Sequence, residues 1–491
     1  MTIIRHVLLV LVTVWCVTGL NLIAAAPVPE RKSITDLTAT ELASLRRGVA
    51  KMMTRDTAAP NSDDYRRSWI YWANMHSHFG SDCAGPIVGQ GMAGVKTFIA
   101  STADEKTTWC RCEHGTIQFL AWHRMYLWYF ERVLQEAAGD PSLRLPYWDY
   151  ESDGHLPAVY RDTTYVDEQG KTVPNPLHVN ARQPTLNSGR SALLPSVTKA
   201  SDAMQEPAYE GFDSSLEQTP HGAVHCAIVT GSCPNGLMGS VPVSAIDPIF
   251  YAHHTNIDRL YECWLRVNES RRLPNDPGQL DTEFTFVDAN GSNVTRKVRD
   301  MLTTAQLGYG YARGGGCPGA AVALAQEQTV APPIPPETLA TTGSTRIAPA
   351  VTIVPLNVSP SGRHMLSLLE RAPGRTRLTI EGVQFDQSPG AMYNVYLQNA
   401  DGAREQVGII NFFGLSPSTT GPQADHKHGN NNFTFDATDA MRKLHIAPDA
   451  KPVLVFEPTS GLTDSSTQQL AERMNKTANV RFDSARLEHI Q

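Results

Sequence analysis

Charge is sparse in this chain. Asp, Glu, Lys and Arg make up 19% of its 491 residues, and 49 acidic against 42 basic groups leave a net charge of −7. No run of Lys and Arg interrupts that mild acidity, which argues against nucleic acid or an anionic membrane as a partner. Beyond the N-terminus no stretch stays apolar for the roughly 20 residues a membrane span needs. No internal repeat is present. Cysteine is limited to 8 residues, while the apolar fraction is an ordinary 41%, so the chain is neither disordered nor collagen-like. At roughly 100–200 residues per domain, the length suggests two domains or one with an extension.

The N-terminus sets the expected compartment. Arg5 and His6 precede the apolar run Val7–Val17, and the segment closes on Ala24-Ala25-Ala26. A basic start, a short apolar stretch and small closing residues predict a secretory signal peptide over residues 1–26. The run is too short for an anchor, and Asn21 interrupts its tail. Asn-x-Ser/Thr sequons follow at Asn268, Asn290, Asn293, Asn357, Asn432 and Asn475. Each is weak alone, and with the leader they fit a glycosylated, secreted protein.

Two textures divide the rest. Residues 27–312 read as mainly α. Thr38 and Glu41 form a capping box before Leu42, Leu45, Val49 and Met52, predicting a helix over Thr38–Met53. Tyr65–His76, His114–Ala138 and Pro248–Val267 read as further helices, with Gly139-Asp140-Pro141 stopping the third. Residues 313–350, rich in Gly and Pro, read as a linker. From Val351 to the end, short apolar runs such as Tyr393–Leu397 and Val453–Phe456 alternate with turn residues. They predict a smaller all-β, sandwich-like domain over 351–491.

Histidine is where the chain concentrates chemistry. Among 16 His, clusters occur at His76 and His78, His114 and His123, His221 and His225, and His253-His254. His221 and His225 are four apart, so on a helix both imidazoles leave one face, as two ligands of one metal should. His254 can add a third. His114 and His123, nine apart, can share a metal only if His114 precedes the helix proper. A lone buried His is more often a hydrogen-bonded core residue. Six neutral imidazoles among large apolar side chains are costly to bury unpaired, which favours a shared metal centre. All-imidazole ligation suits copper or zinc.

Cys112-x-His114-Gly115, Phe119 and Trp122-His123-Arg124-x-Tyr126-Leu127 resemble the copper-A signature of tyrosinases, catechol oxidases and molluscan haemocyanins, the type-3 copper proteins. Asp247-Pro248-Ile249-Phe250-x-x-His253-His254-x-Asn256-x-Asp258-Arg259 resembles the copper-B signature. Leu145-Pro146-Tyr147-Trp148-Asp149-Tyr150 is also typical of the central domain, and the likeness covers about residues 65–312. The β-rich tail, with His426-Lys427-His428-Gly429, is similar to the C-terminal domain of plant-type polyphenol oxidases.

The resemblance implies two copper ions, held by His76, His114 and His123 on one side and by His221, His225 and His254 on the other. It implies O2 and phenolic small molecules as partners and o-diphenol oxidation to o-quinones as the reaction. Phe250 matches an aromatic packed on a copper-B imidazole. Asp258 is expected either to orient a ligand His or to form a surface ion pair on its helix. Glu217 matches a water-holding Glu, and Val241, thirteen before His254, matches the gate over the site. Strong monophenolases carry Asn where this chain has Gly222, so the resemblance implies a bias toward diphenols. A haemocyanin-like oxygen carrier is the alternative, disfavoured by the absence of a repeated copper unit.

Seven Cys remain after Cys16 leaves with the leader, an odd number. The family pattern implies a Cys112–His114 thioether, leaving Cys83–Cys110, Cys226–Cys233 and Cys263–Cys317 as suggested disulfides among the possible pairings. It also implies a latent protein in which the β-domain covers the site until a protease cuts the linker. Phe412 or Phe413 in Asn411-Phe412-Phe413-Gly414 would plug the site, unless both are β-domain core.

Overall fold

The structure is a computed structural model that describes residues 28–78, 102–109, 111–266, 273–312, 317, 335–368, 374–418, 431–447 and 449–490. The expected leader, Cys83, Cys110, Asn268, most of 313–334 and the His426–Gly429 motif lie outside the described residues. A helical domain is followed by a β-sandwich domain, the expected class, except that the second is not all-β: three short helices, Pro360–Leu366, Thr438–Leu444 and Thr467–Arg473, lie between its strands. Among the described residues no helix is long and apolar enough to cross a membrane.

The helices that frame the site are α1 (Ala39–Thr54), α2 (Trp69–His76), α3 (Phe119–Ala138), α4 (Tyr209–Leu216), α5 (Ala223–Ile228) and α6 (Ile249–Leu265). The Thr38–Glu41 capping box forms as the pattern requires, and α1 buries Leu45, Val49 and Met52. Gly48 lets α1 lie directly on α3, where a Cβ would come within 3.0 Å of Leu134 O.

The helix expected over 65–76 is split. A short turn spans Asp63–Arg66, and Ser68 then caps α2 by accepting a hydrogen bond from Tyr71 N. The helix expected from His114 starts only at Phe119, because Gly115 adopts a left-handed φ of 66° that no continuing helix tolerates. Gly139, also left-handed, ends α3 where expected. Between α4 and α5 the segment Glu217–Gly222 winds irregularly, with Thr219 extended.

The β-domain packs two antiparallel sheets. The five-stranded sheet runs Asn357–Val358, Glu337–Thr342, Ser484–Ile490, Arg375–Glu381, Phe433–Asp436. The four-stranded sheet runs Arg404–Ile410, Met392–Gln398, Val453–Thr459, Thr352–Pro355. Strand Arg375–Glu381 buries Thr376, Leu378 and Ile380, every second residue, against the facing sheet. One boundary needs correction. Glu337–Thr342 pairs with the last strand, Ala340 opposite Leu487, so the sandwich starts inside the stretch read as linker. With only Leu339 and Ala340 buried, that strand carries too little apolar alternation to be recognised.

Cys226–Cys233 and Cys263–Cys317 are disulfide-bonded as suggested, and Cys112 is free among the described cysteines. The β-domain docks onto the helical one. Leu194 N donates to Gly461 O at 2.8 Å, Thr463 N to Ala192 O at 2.9 Å, and Arg375 Nη1 to Gln205 O at 2.9 Å.

Candidate metal centre

Two side-chain clusters form in the helical domain. Ligand atoms of His76, Cys112, His114 and His123 lie within 4.8 Å of one another, as do those of His221, His225, His253 and His254. The clusters face each other. The His123 and His254 rings stack at 4.5 Å and 14°, and His114 and His221 at 5.7 Å and 27°. His76 ends α2, His123 sits one turn into α3, His225 lies on α5 and His254 on α6. His114 precedes α3, the condition under which it can share a metal with His123.

Backbone carbonyls set the tautomers. His76 Nδ1 lies 3.2 Å from Val241 O, His123 Nδ1 2.8 Å from Phe119 O, His221 Nδ1 2.9 Å from Glu217 O, and His225 Nδ1 2.6 Å from Met238 O. A carbonyl only accepts, so each Nδ1 carries the proton and each Nε2 presents its lone pair to the centre. Nε2 of His225 and Nε2 of His254 are 3.3 Å apart. That is the chord two nitrogens span when each lies about 2.0–2.1 Å from one ion at a near-tetrahedral angle. His221 Nε2 is buried with no hydrogen-bond partner. The donor set therefore fits a metal of imidazole preference.

Burial keeps the rings neutral. Desolvation lowers the pKa of His123, His225, His253 and His254 well below the usual imidazole value, with neighbouring imidazoles adding to it, and brings His221 to about 3. Burial likewise raises Glu217 well above the usual carboxyl range, with Asp213 adding to it, while Gly115 N–H donates to Glu217 Oε1 at 2.7 Å. Asp213 is itself pushed up to about 8, chiefly by burial.

The other expected site residues are placed as follows. Phe250 packs on His254 at 4.1 Å and on His76 at 4.8 Å. Val241 is buried beside His76, which it holds through its own carbonyl. Cys112 Sγ is 3.2 Å from His114 Nδ1 and 3.6 Å from His123 Nε2. Gly222, next to His221, lies under Asn411 of the β-domain.

Asp258 corrects both expectations. It is only 4% exposed, and its hydrogen-bond partners among the described residues are arginines and tyrosines. It accepts from Arg124 Nε at 2.5 Å, Arg31 Nη1 at 3.2 Å, Tyr309 OH at 2.6 Å and Tyr311 OH, in a buried network that ties the start of the described chain to the end of the helical domain. His253, outside the ligand set the resemblance implies, belongs to the second cluster, its ring stacked on His221 at 5.6 Å and 16°.

The two neighbours Phe412 and Phe413 take different places. Phe412 packs into the β-domain core against Phe385 at 5.3 Å. Phe413 reaches into the centre, stacked on His225 at 4.0 Å and 13°, with edge contacts to His221 at 5.3 Å and His114 at 5.9 Å.

Residues 66–191 and 177–267 match the family described as the common central domain of tyrosinase, and residues 274–316 match the polyphenol oxidase middle domain. The chain is similar to a tyrosinase of Hahella sp. (strain CCB-MM4), 28% identical over 464 residues that cover 85% of this chain and 92% of the relative. It is also similar to the chloroplastic polyphenol oxidase A1 of Vicia faba, 27% identical and covering 82% and 70% of the two chains. Among solved structures, a latent aurone synthase (polyphenol oxidase) superposes with a TM-score of 0.57 at 18% identity, over 94% of this chain and 89% of that one. Latent apple tyrosinase gives 0.54 at 21% identity over 95% and 98%. At those identities the superpositions speak for the fold.

Proposed function

This chain belongs to the tyrosinase and polyphenol oxidase family of type-3 copper proteins and is a copper oxidoreductase; from that premise we propose that it is a two-copper catechol oxidase, held latent by its β-domain. The observation that carries the reading is the pair of facing imidazole clusters. His76, His114 and His123 would hold one copper, and His221, His225 and His254 the other. When bound, the copper pair takes two electrons from each o-diphenol and passes them to O2, so that two diphenols and one O2 give two o-quinones and two waters.

The chain's own residues do the rest. Nδ1–H donors on Phe119, Glu217, Met238 and Val241 carbonyls hold four imidazoles with Nε2 facing inward. The His225 face that Phe413 covers is the surface on which a phenol ring would stack. Phe250 walls the centre and keeps water from the rings it packs against. Glu217 would hold the water that takes a phenolic proton, a task for its carboxylate form, which burial opposes and the Gly115 N–H on its Oε1 favours. Gly222 offers no side chain to help it, which favours diphenols over monophenols.

Latency follows from Phe413 occupying the substrate's place, and activation from a protease cutting between the domains. Export to an oxidising compartment is supported by two disulfides and by the basic-then-apolar start of the chain. The test is oxidation of 4-methylcatechol by copper-loaded protein after limited proteolysis, with tyramine as the monophenol comparison. Failure to turn over the catechol would leave an oxygen carrier as the reading. Equal rates on both substrates would remove the diphenol bias.

A further inference from the structure

We propose that Asn411 is a latch, that its seat is the side-chain position Gly222 leaves empty, and that residue 222 thereby sets how firmly the β-domain is shut over the copper site. The proposal rests on the reading of the β-domain as a lid.

Gly222 has φ −63° and ψ −35°, ordinary right-handed helical values that any L-residue adopts. Nothing in its backbone calls for glycine. The reason for glycine lies across the domain boundary. A Cβ on residue 222 would sit 2.7 Å from Asn411 Oδ1, 3.2 Å from its Nδ2 and 3.3 Å from its Cγ.

Asn411 is not free to yield. It is 3% exposed. Its Nδ2 donates to Gln218 O at 2.9 Å, and its Oδ1 accepts from Phe413 N at 3.1 Å. The first bond ties the lid to the segment between Glu217 and His221. The second fixes the backbone of the residue that covers His225. Gln218 extends the grip through its side chain: Nε2 donates to Asn432 O, and Oε1 accepts from Thr434 N at 3.4 Å. A methyl at 222 therefore breaks both Asn411 bonds at once and loosens Phe413.

The experiment is a double-mutant cycle on the uncut, copper-loaded chain, read by hydrogen exchange at Phe413 and at strand Phe433–Asp436, with 4-methylcatechol oxidation measured in parallel. Gly222→Ala should speed exchange at these amides by about tenfold, the consequence of losing two buried hydrogen bonds, and raise catechol oxidation without proteolysis.

Asn411→Gly should open the lid comparably. Adding Gly222→Ala to Asn411→Gly should change exchange no further, because the clash exists only with Asn411 present. Wild-type exchange in Gly222→Ala, or an undiminished Gly222→Ala effect in the Asn411→Gly background, would overturn the latch. Exchange that responds as expected while catechol oxidation stays absent even after proteolysis would retain the latch and reject the enzymatic reading instead.

Discussion

Replacing Phe413 with alanine in the uncut chain should create a constitutively active enzyme. The ring is 7% exposed and lies flat on His225 at 4.0 Å. Burying a phenylalanine contributes about 1.5–3 kcal/mol, and a stacked aromatic pair adds about 0.5–1.5 kcal/mol. Lid docking therefore weakens by about 2–4 kcal/mol, and at about 1.4 kcal/mol per factor of ten the open fraction grows from roughly 30-fold to several hundred-fold. Contacts that remain, such as Leu194 N on Gly461 O, are common to both proteins and cancel in that ratio.

The neighbouring substitution is the control. Phe412 is fully buried in the β-domain, so Phe412→Ala should cost that domain about 3–5 kcal/mol of stability. It vacates nothing at the metal centre. The assay compares 4-methylcatechol oxidation by both uncut variants at a temperature below either melting transition, with copper content measured on the same samples. Phe413→Ala that stays as latent as the wild type at equal copper content would refute the plug. So would Phe412→Ala that activates equally while remaining fully folded.

Copper content separates the paired histidines: His254→Ala should lower bound copper and abolish catechol oxidation, and His253→Ala should be milder, so a His254→Ala variant with two coppers and full activity removes that ligand. Peptide mapping of reduced protein should find Cys112 joined to His114, two hydrogens lighter than the separate residues, and quantitative alkylation of Cys112 would exclude the bond. Metal-free protein should be acid-labile. His123, His221, His225, His253 and His254 are held neutral when folded. The unfolded chain takes up protons the folded one refuses, so stability is unaffected above about pH 6.5 and falls below it, by about 7 kcal/mol for five groups one unit lower. Urea midpoints of the metal-free protein that do not change between pH 7.5 and 5.5 would contradict this.

Much of the centre was legible because its signals are local. Cys112-x-His114 and His253-His254 are short motifs, and the nine-residue gap to His123 already demanded that His114 stand before the helix. What failed to show was set by distant partners. Asp258 was judged against residues on its own helix, whereas Arg31, Tyr309 and Tyr311 come from 227, 51 and 53 residues away. Phe412 and Phe413 part at a turn, closed by Leu415 N donating to Phe412 O at 3.4 Å, and the motif foretells the turn but not which ring lies on the metal centre. Ser68 reads equally well as a helix interior or a cap until Tyr71 N is seen donating to it.

The segment Glu217–Gly222 carries both the chemistry and its restraint. Glu217 and His221 face the centre, while Gln218 and Gly222 meet Asn411 of the β-domain, so neighbouring residues of one irregular turn serve two tasks. A regular helix would put residues 217 and 221 on one face but leave 218 and 222 on the adjoining face, beside the site. Extended Thr219 breaks that register and turns the Gln218 carbonyl toward Asn411. The two tasks are then linked. If the closed lid favours the shape of this turn that binds metal, bound metal must favour the closed lid by the same factor. Stripping the copper from the uncut chain should then speed hydrogen exchange at Phe413, and exchange that is the same with and without copper would exclude the coupling.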